Sequence, residues 1–494
     1  MKQLLLVSCL LSLSAILGLP EVKADVRMPL IFGNHMVLQQ DTRITIWGWA
    51  DAGENIEVLF AGQKVRTTAN ADGTWQVKLK PVKTKKKGET LTITGKNKLV
   101  YSDVLVGDVW VASGQSNMEW GIKVRKEYAD DIAHSEDSLL RLFFVPKNTS
   151  LQPLSEIEIP QGTASPERAA RWVLCTPEML AKINGQGFSA TAYYFARDMR
   201  VANGRPLGVI QSAWGGTRAE AWTSLSGLKQ EPALAHYVAA YEKNVKDNPE
   251  ILATYPQKQK EFDTAVREWD QTIGKEWNQA QKEWAVAVRA AQADGKPAPA
   301  KPEPRVPRPP NPRKPDGGNN GPANLFNAMI SPLIPLSIKG VIWYQGEFNS
   351  GGSAKEYATL FSRMITDWRE KWGIGDFPFV YVQLPNFEPV DQEPSVEGNG
   401  WRWVREGLLK ALSLPNTAMA VTIDVGDPFD LHPVDKYDVG HRLALVARKL
   451  AYGEKVVGMG PLYKKMSVKG NKIILEFTNQ GKKLMIGTSP YIPE

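Results

Sequence analysis

The sequence is poor in the two residue types that most often announce a small stapled or metal-built protein. It has 2 cysteines and 5 histidines in 494 residues. A disulfide framework is excluded, and no cysteine–histidine spacing of the zinc kind occurs. After the first 24 residues no apolar run reaches the roughly 18 residues of a membrane-spanning helix. Charge of one sign is not in large excess either: 60 Lys+Arg stand against 53 Asp+Glu, a net +7. That excess is local. Lys301–Pro315 carries five basic residues and one acid, and Lys83–Lys87 adds four lysines. Both stretches read as solvated loops with no RNA-binding signature, so nucleic acid is not an expected partner. What remains is ordinary globular composition, 43% hydrophobic and 23% charged, long enough for two to four domains at about 150 residues each.

Residues 1–24 have a basic Lys2, an apolar Leu4–Leu19 and a small-x-small Val22-Lys23-Ala24. This pattern is that of a cleaved secretory signal peptide, predicting a secreted or periplasmic protein. Cys9 falls too early in the apolar core for a lipidation site. Cleavage after Ala24 leaves Cys175 alone, expected as a buried thiol.

Residues 25–105 read as a β-rich, sandwich-like accessory domain. Short alternating runs at Ile44–Trp49, Ile56–Phe60, Lys64–Thr68, Trp75–Lys80 and Leu91–Gly95 are separated by turn residues such as Gly53, Gly62 and Gly73. From Val104 the rhythm becomes strand, loop, helix. Strands are predicted at Leu105–Ala112, Leu207–Ser212, Ile338–Tyr344, Phe379–Leu384 and Thr417–Asp424, with helices at Ser189–Val201, Ala354–Lys371, Arg402–Leu412 and Val439–Ala451. Near-continuous apolar strands alternating with helices predict an α/β fold, a parallel sheet flanked by helices. Residues 106–227 and 321–454 form its two parts. Residues 228–320 interrupt them as an insertion without strands, where Phe262, Trp269, Trp277 and Trp284 recur at spacings of seven and eight. That stripe predicts the packing face of a helix or helical hairpin, followed by an extended, solvated Pro297–Pro315. Residues 455–494 return to β character.

Polar motifs follow four of the five strands, where an open parallel sheet has its ligand crevice. They are Gly114-Gln115-Ser116-Asn117-Met118, Trp214-Gly215-Gly216-Thr217 with Glu220-Ala221-Trp222, Trp343-Tyr344-Gln345-Gly346-Glu347, and Asp424 to Pro433 with Asp427, Asp430 and His432. Acyl transfer needs a nucleophile, a base, an orienting acid and oxyanion donors. Ser116 leaves a strand on a tight turn, as a nucleophile or a helix cap would. His35 belongs to the β region, His134 and His236 to polar helical stretches, and His441 to a helix start, which leaves His432 as the base. Asp430 or Asp427 could fix its tautomer. Gly215 or Gly216 could give a backbone N–H, and Gln345 a side-chain amide.

As a set these motifs resemble those of the sialate O-acetylesterase family, in the SGNH hydrolase superfamily, over most of residues 27–480. The resemblance implies Ser116 as nucleophile, His432 as base and Asp430 as its partner, with Gly215, Gln345 and the Ser116 amide as oxyanion donors. Gln115, Asn117, Gly216, Glu220 and Glu347 are expected to reach substrate. It implies an acetylated carbohydrate as substrate, no metal or organic cofactor, and a C-terminal β region longer than residues 455–494 provide. Three other readings stay open. One is an esterase of acetylxylan or other plant glycans. Another is a metal-dependent deacetylase using Asp424, Asp427, Asp430 and His432. The last is a non-catalytic carbohydrate-binding protein.

Overall fold

A computed structural model describes residues 25–163, 169–294, 296, 299–387, 400–428 and 430–479. The signal-peptide reading of residues 1–24, with Cys9, and the residues after Asn479 lie outside the described residues.

The strands in chain order are β1 (Val37–Gln39), β2 (Ile44–Trp49), β3 (Asn55–Phe60), β4 (Gln63–Thr68), β5 (Thr74–Leu79), β6 (Lys85–Thr94), β7 (Lys98–Gly114), β8 (Asp137–Phe144), β9 (Trp172–Cys175), β10 (Leu207–Ala213), β11 (Gly340–Tyr344), β12 (Phe379–Val382), β13 (Thr417–Ala420), β14 (Leu462–Lys469) and β15 (Lys472–Thr478). The helices are α1 (Ser116–Glu119), α2 (Ala129–Ala133), α3 (Pro177–Lys182), α4 (Ala190–Asn203), α5 (Leu225–Lys229), α6 (Ala235–Gln271), α7 (Ile273–Ala293), α8 (Tyr357–Trp372), α9 (Gly400–Lys410) and α10 (Lys436–Tyr452).

The main sheet runs β13-β12-β11-β7-β10-β8-β9. Its pairings are parallel except β8 with β9. The second half of β7 is buried at every position, as a strand covered on both faces must be. Its first half pairs antiparallel with β6, so one continuous strand runs across residue 105 and joins the β region to the α/β sheet. The sequence rhythm missed β1, β8 and β9. All three are short or interrupted by charge, such as Arg141, whose guanidinium bonds Asp103 at 2.8 Å inside the fold.

β7 lies between β10 and β11, which makes the ends bearing Ser116, Gly215 and Gln345 neighbours. β13 is at the far edge, and α10 brings its loop back. Asp435 caps α10 by accepting the Asp438 N–H at 2.9 Å, and Gly440 lets α10 press onto α4. A Cβ at Gly440 would stand 2.6 Å from the Tyr194 Cβ.

The insertion has no strand among its described residues. α6 is 37 residues long with Pro249 and Pro256 inside it. The proline tract does more than lie in solvent. Trp269 and Trp284 donate their indole N–H groups to the carbonyls of Val306 and Pro299, both at 2.8 Å, so the tract straps the aromatic stripe. Indole N–H groups on a packing face need acceptors, and a proline chain keeps its carbonyls free. Cys175 is buried, its thiol pushed up to about 12 by desolvation. Among the described residues no helix is long and apolar enough to cross a membrane.

Candidate functional site

At the end of β7 the chain turns sharply at Gly114 (φ +137°), where a Cβ would stand 2.1 Å from the Tyr344 carbonyl oxygen. Only glycine permits this approach of β7 to β11. The turn releases Ser116 into α1, a single helical turn.

Ser116 Oγ lies 2.9 Å from His432 Nε2. Burial lowers the His432 pKa below its ordinary 6.5, with the Lys436 ammonium the second cause, so the imidazole is kept neutral and able to accept a proton. Its ring stacks on Trp120, centroids 4.4 Å apart.

Asp430 does not reach the other ring nitrogen. Its Oδ1 is 3.9 Å from His432 Nδ1, beyond hydrogen-bond range. It accepts instead from the His432 backbone N–H at 2.8 Å and from Arg125 at 2.7 Å. Asp424 is paired with Arg442 at 2.8 Å. Among the described residues no group of three or more His, Cys, Asp or Glu is placed to hold a metal ion.

The donors named for an oxyanion are partly engaged. The Gly215 N–H donates to the Glu119 carboxylate, which also pairs with Lys147. Gln345 is fully buried and donates to the Thr217 carbonyl at 3.0 Å and to Asn349 Oδ1 at 2.6 Å, while its Oε1 accepts from the Tyr357 hydroxyl at 2.9 Å. Among the described residues, the backbone N–H groups of Ser116 and Gly216 have no protein acceptor.

Four of the five residues expected to touch substrate have buried side chains held by the protein, and the fifth is Gly216. Gln115 accepts from the Phe348 N–H at 3.2 Å. Glu220 accepts from Asn349 at 3.0 Å, and desolvation raises its pKa. Asn117 sits between charges. It donates to Glu347 at 2.6 Å and to the Leu431 carbonyl at 3.0 Å, and accepts from Lys436 at 2.5 Å. The Glu347 carboxyl is raised and the Lys436 ammonium lowered to about 7, each mainly by burial. The polar types were legible, but their orientation depends on contacts from 129 to 319 residues away in sequence. Lys436, Arg125 and Asn349 gave no motif signal. Trp120 lay beside the serine motif with no role to single it out.

Residues 320–448 match the family model of carbohydrate esterases described as sialic acid-specific acetylesterases. The sialate O-acetylesterase of Rattus norvegicus is 30% identical over 483 residues, covering 90% of this chain and 77% of that protein. That of Mus musculus is 29% identical over 480 residues with the same coverage. Among solved structures, a carbohydrate acetylesterase from Xanthomonas citri superposes with a TM-score of 0.68 at 32% identity, covering 92% of this chain and 82% of that one. A mixed α/β sheet with its polar motifs at the strand ends, together with these likenesses, defines an esterase of the carbohydrate acetylesterase class. Within that class the chain belongs to the sialate O-acetylesterase family.

Proposed function

We propose that the chain is an exported serine esterase that removes O-acetyl groups from sugars, sialate esters first among them, through an acetyl-enzyme on Ser116. The observation that carries this reading is the 2.9 Å contact between Ser116 Oγ and a desolvated His432 Nε2. Ser116 Oγ attacks the acetyl carbonyl as His432 takes its proton. The imidazolium then returns the proton to the departing sugar oxygen. Water, deprotonated by the same ring, attacks the acetyl-enzyme; acetate leaves and Ser116 regains its proton. Asp430 acts on His432 through the main chain, fixing the loop rather than bonding Nδ1.

The Ser116 and Gly216 amides serve the oxyanion without rearrangement. Gly215 joins them when Glu119 turns fully to Lys147, and Gln345 when it releases the Thr217 carbonyl. In this reading residues 25–105 are an accessory domain, 106–227 and 321–454 the catalytic parts, 228–320 an insertion and 455–494 a β segment. Residues 1–24 direct export, supported by their basic start, apolar core and small-x-small end.

A second reading, a carbohydrate acetylesterase with a non-sialate substrate, is favoured by the 32% identity to the Xanthomonas citri enzyme. Acetate release from acetylated sialic acid, acetyl-xylan and acetylated pectin separates the two. Ser116→Ala should abolish release from all of them while leaving the circular-dichroism spectrum unchanged. Residual turnover above about one tenth would place the nucleophile elsewhere.

A further inference from the structure

A cavity of about 750 Å³ is lined by neither Ser116 nor His432. Its volume falls within the roughly 300–1,000 Å³ of small-molecule sites. Segments far apart in sequence meet there. The β2–β5 ribbon contributes Trp49, Trp75 and Gln76, the turn before β5 contributes Asn70, the loop after β8 contributes Gln152, and the end of α8 contributes Lys371.

The lining has a definite chemistry. Asn70, Gln76 and Gln152 are exposed amides, each with both donor and acceptor atoms. Gln76 spends neither end of its amide on a hydrogen bond among the described residues. The bond from Gln152 to the Tyr241 hydroxyl is long, at 3.3 Å. Trp49, half-buried, adds indole surface, while Trp75 borders the cavity and is itself buried. No aspartate or glutamate lines the cavity, and Lys371 is its one charged residue among the described ones. Amides that both give and accept, set against aromatic carbon, match a sugar, whose hydroxyls do both and whose C–H faces are apolar. A carboxylate-free lining with one ammonium admits neutral or acidic sugars and disfavours cations.

We propose that this cavity is a second, non-catalytic carbohydrate site, which holds one part of an oligosaccharide while another part is deacetylated at Ser116. The proposal rests on the carbohydrate-esterase reading. Holding the chain at one site raises the effective concentration of its acetyl groups at the other.

The test uses the full chain carrying Ser116→Ala, so that no ligand is turned over, titrated calorimetrically with xylohexaose as a neutral probe and sialyllactose as an acidic one. At least one should bind. Gln76→Trp, on the exposed face of β5, should fill the cavity and weaken that binding about tenfold or more, roughly 1.4 kcal/mol. With Ser116 restored, Gln76→Trp should lower kcat/KM about tenfold on an acetylated polysaccharide and leave 4-nitrophenyl acetate hydrolysis unchanged. If Gln76→Trp also slows the small ester, the fold has been disturbed, and Gln152→Ala decides by the same comparison. Binding of neither sugar, or binding and polysaccharide turnover unchanged in both variants, overturns the proposal. Failure of the native protein to hydrolyse 4-nitrophenyl acetate would instead overturn the serine-esterase reading.

Discussion

The ring of Trp120 lies nearly flat on that of His432, with planes 18° apart and centroids separated by 4.4 Å. Both Trp120 and Ser116 belong to the turn that leaves β7, so one short segment carries the nucleophile and the surface on which the base rests. Arg125 covers Trp120 at 5.2 Å and grips Asp430 at 2.7 Å, tying the same segment to the histidine loop. The base is thus held by a face and by its backbone, while among the described residues its Nδ1 has no carboxylate within bonding distance.

Trp120→Leu should therefore lower kcat while leaving KM for a small acetyl ester nearly unchanged. The ring plane of His432 would no longer be fixed, and a misplaced base costs about 10²-fold. The check is steady-state kinetics with 4-nitrophenyl acetate, alongside a melting curve to separate this effect from unfolding.

Asp430→Asn should be mild, within about tenfold in kcat, whereas loss of an acid bonded to the base histidine typically costs about 10⁴. Asparagine keeps an oxygen for the His432 backbone N–H and loses mainly the ion pair with Arg125. A collapse of several orders of magnitude would mean that the side chain closes on Nδ1 during turnover. Measuring Asp427→Asn in parallel tells which aspartate the histidine depends on.

The sequence made the α/β sheet legible because its strands are fully buried apolar runs between helices with clear caps, such as Ser189, whose Oγ accepts from Ala192 at 3.0 Å. β8 and β9 were illegible for different reasons: β8 mixes Asp137 and Arg141 with apolar residues, and β9 is a four-residue strand at the sheet's edge, and local periodicity separates neither from loop. At the site, residue types at strand ends pointed to Ser116 and His432, which the fold brings into contact. The same reasoning could not say which polar side chains face solvent. Asn117 and Glu347 follow strands just as Ser116 does, yet they turn inward to Lys436, which lies more than eighty residues beyond Glu347 in a helix with no polar motif of its own. Long-range pairing of this kind leaves no local trace.

That buried pair makes a stability prediction. Lys436→Met leaves the Glu347 carboxyl without its cation and Asn117 without its donor, and breaking such a pair typically costs about 3–5 kcal/mol. The melting temperature should fall accordingly. Adding Glu347→Gln to Lys436→Met should restore most of the loss, because the second charge is removed as well. If the double variant melts no higher than the single one, the charges are not coupled through Asn117.

The last prediction concerns pH. His432 must be neutral to accept the Ser116 proton, so activity falls as pH drops through its pKa. Burial first, then Lys436, holds that pKa below the ordinary 6.5, with Arg125 acting in the same direction and Asp430 and Glu119 opposing it. The acid limb of kcat/KM should accordingly lie below pH 6.5. In the Lys436→Met, Glu347→Gln double variant the stronger of the two lowering charges is gone while burial stays. The imidazolium then forms more readily, and the acid limb should move upward. The desolvation that dominates the shift is untouched, so the limb should stop short of an exposed histidine's value. A profile of 4-nitrophenyl acetate hydrolysis for the parent and the double variant reads this directly. A limb that stays in place, or moves to lower pH, would show that Lys436 does not act on the base.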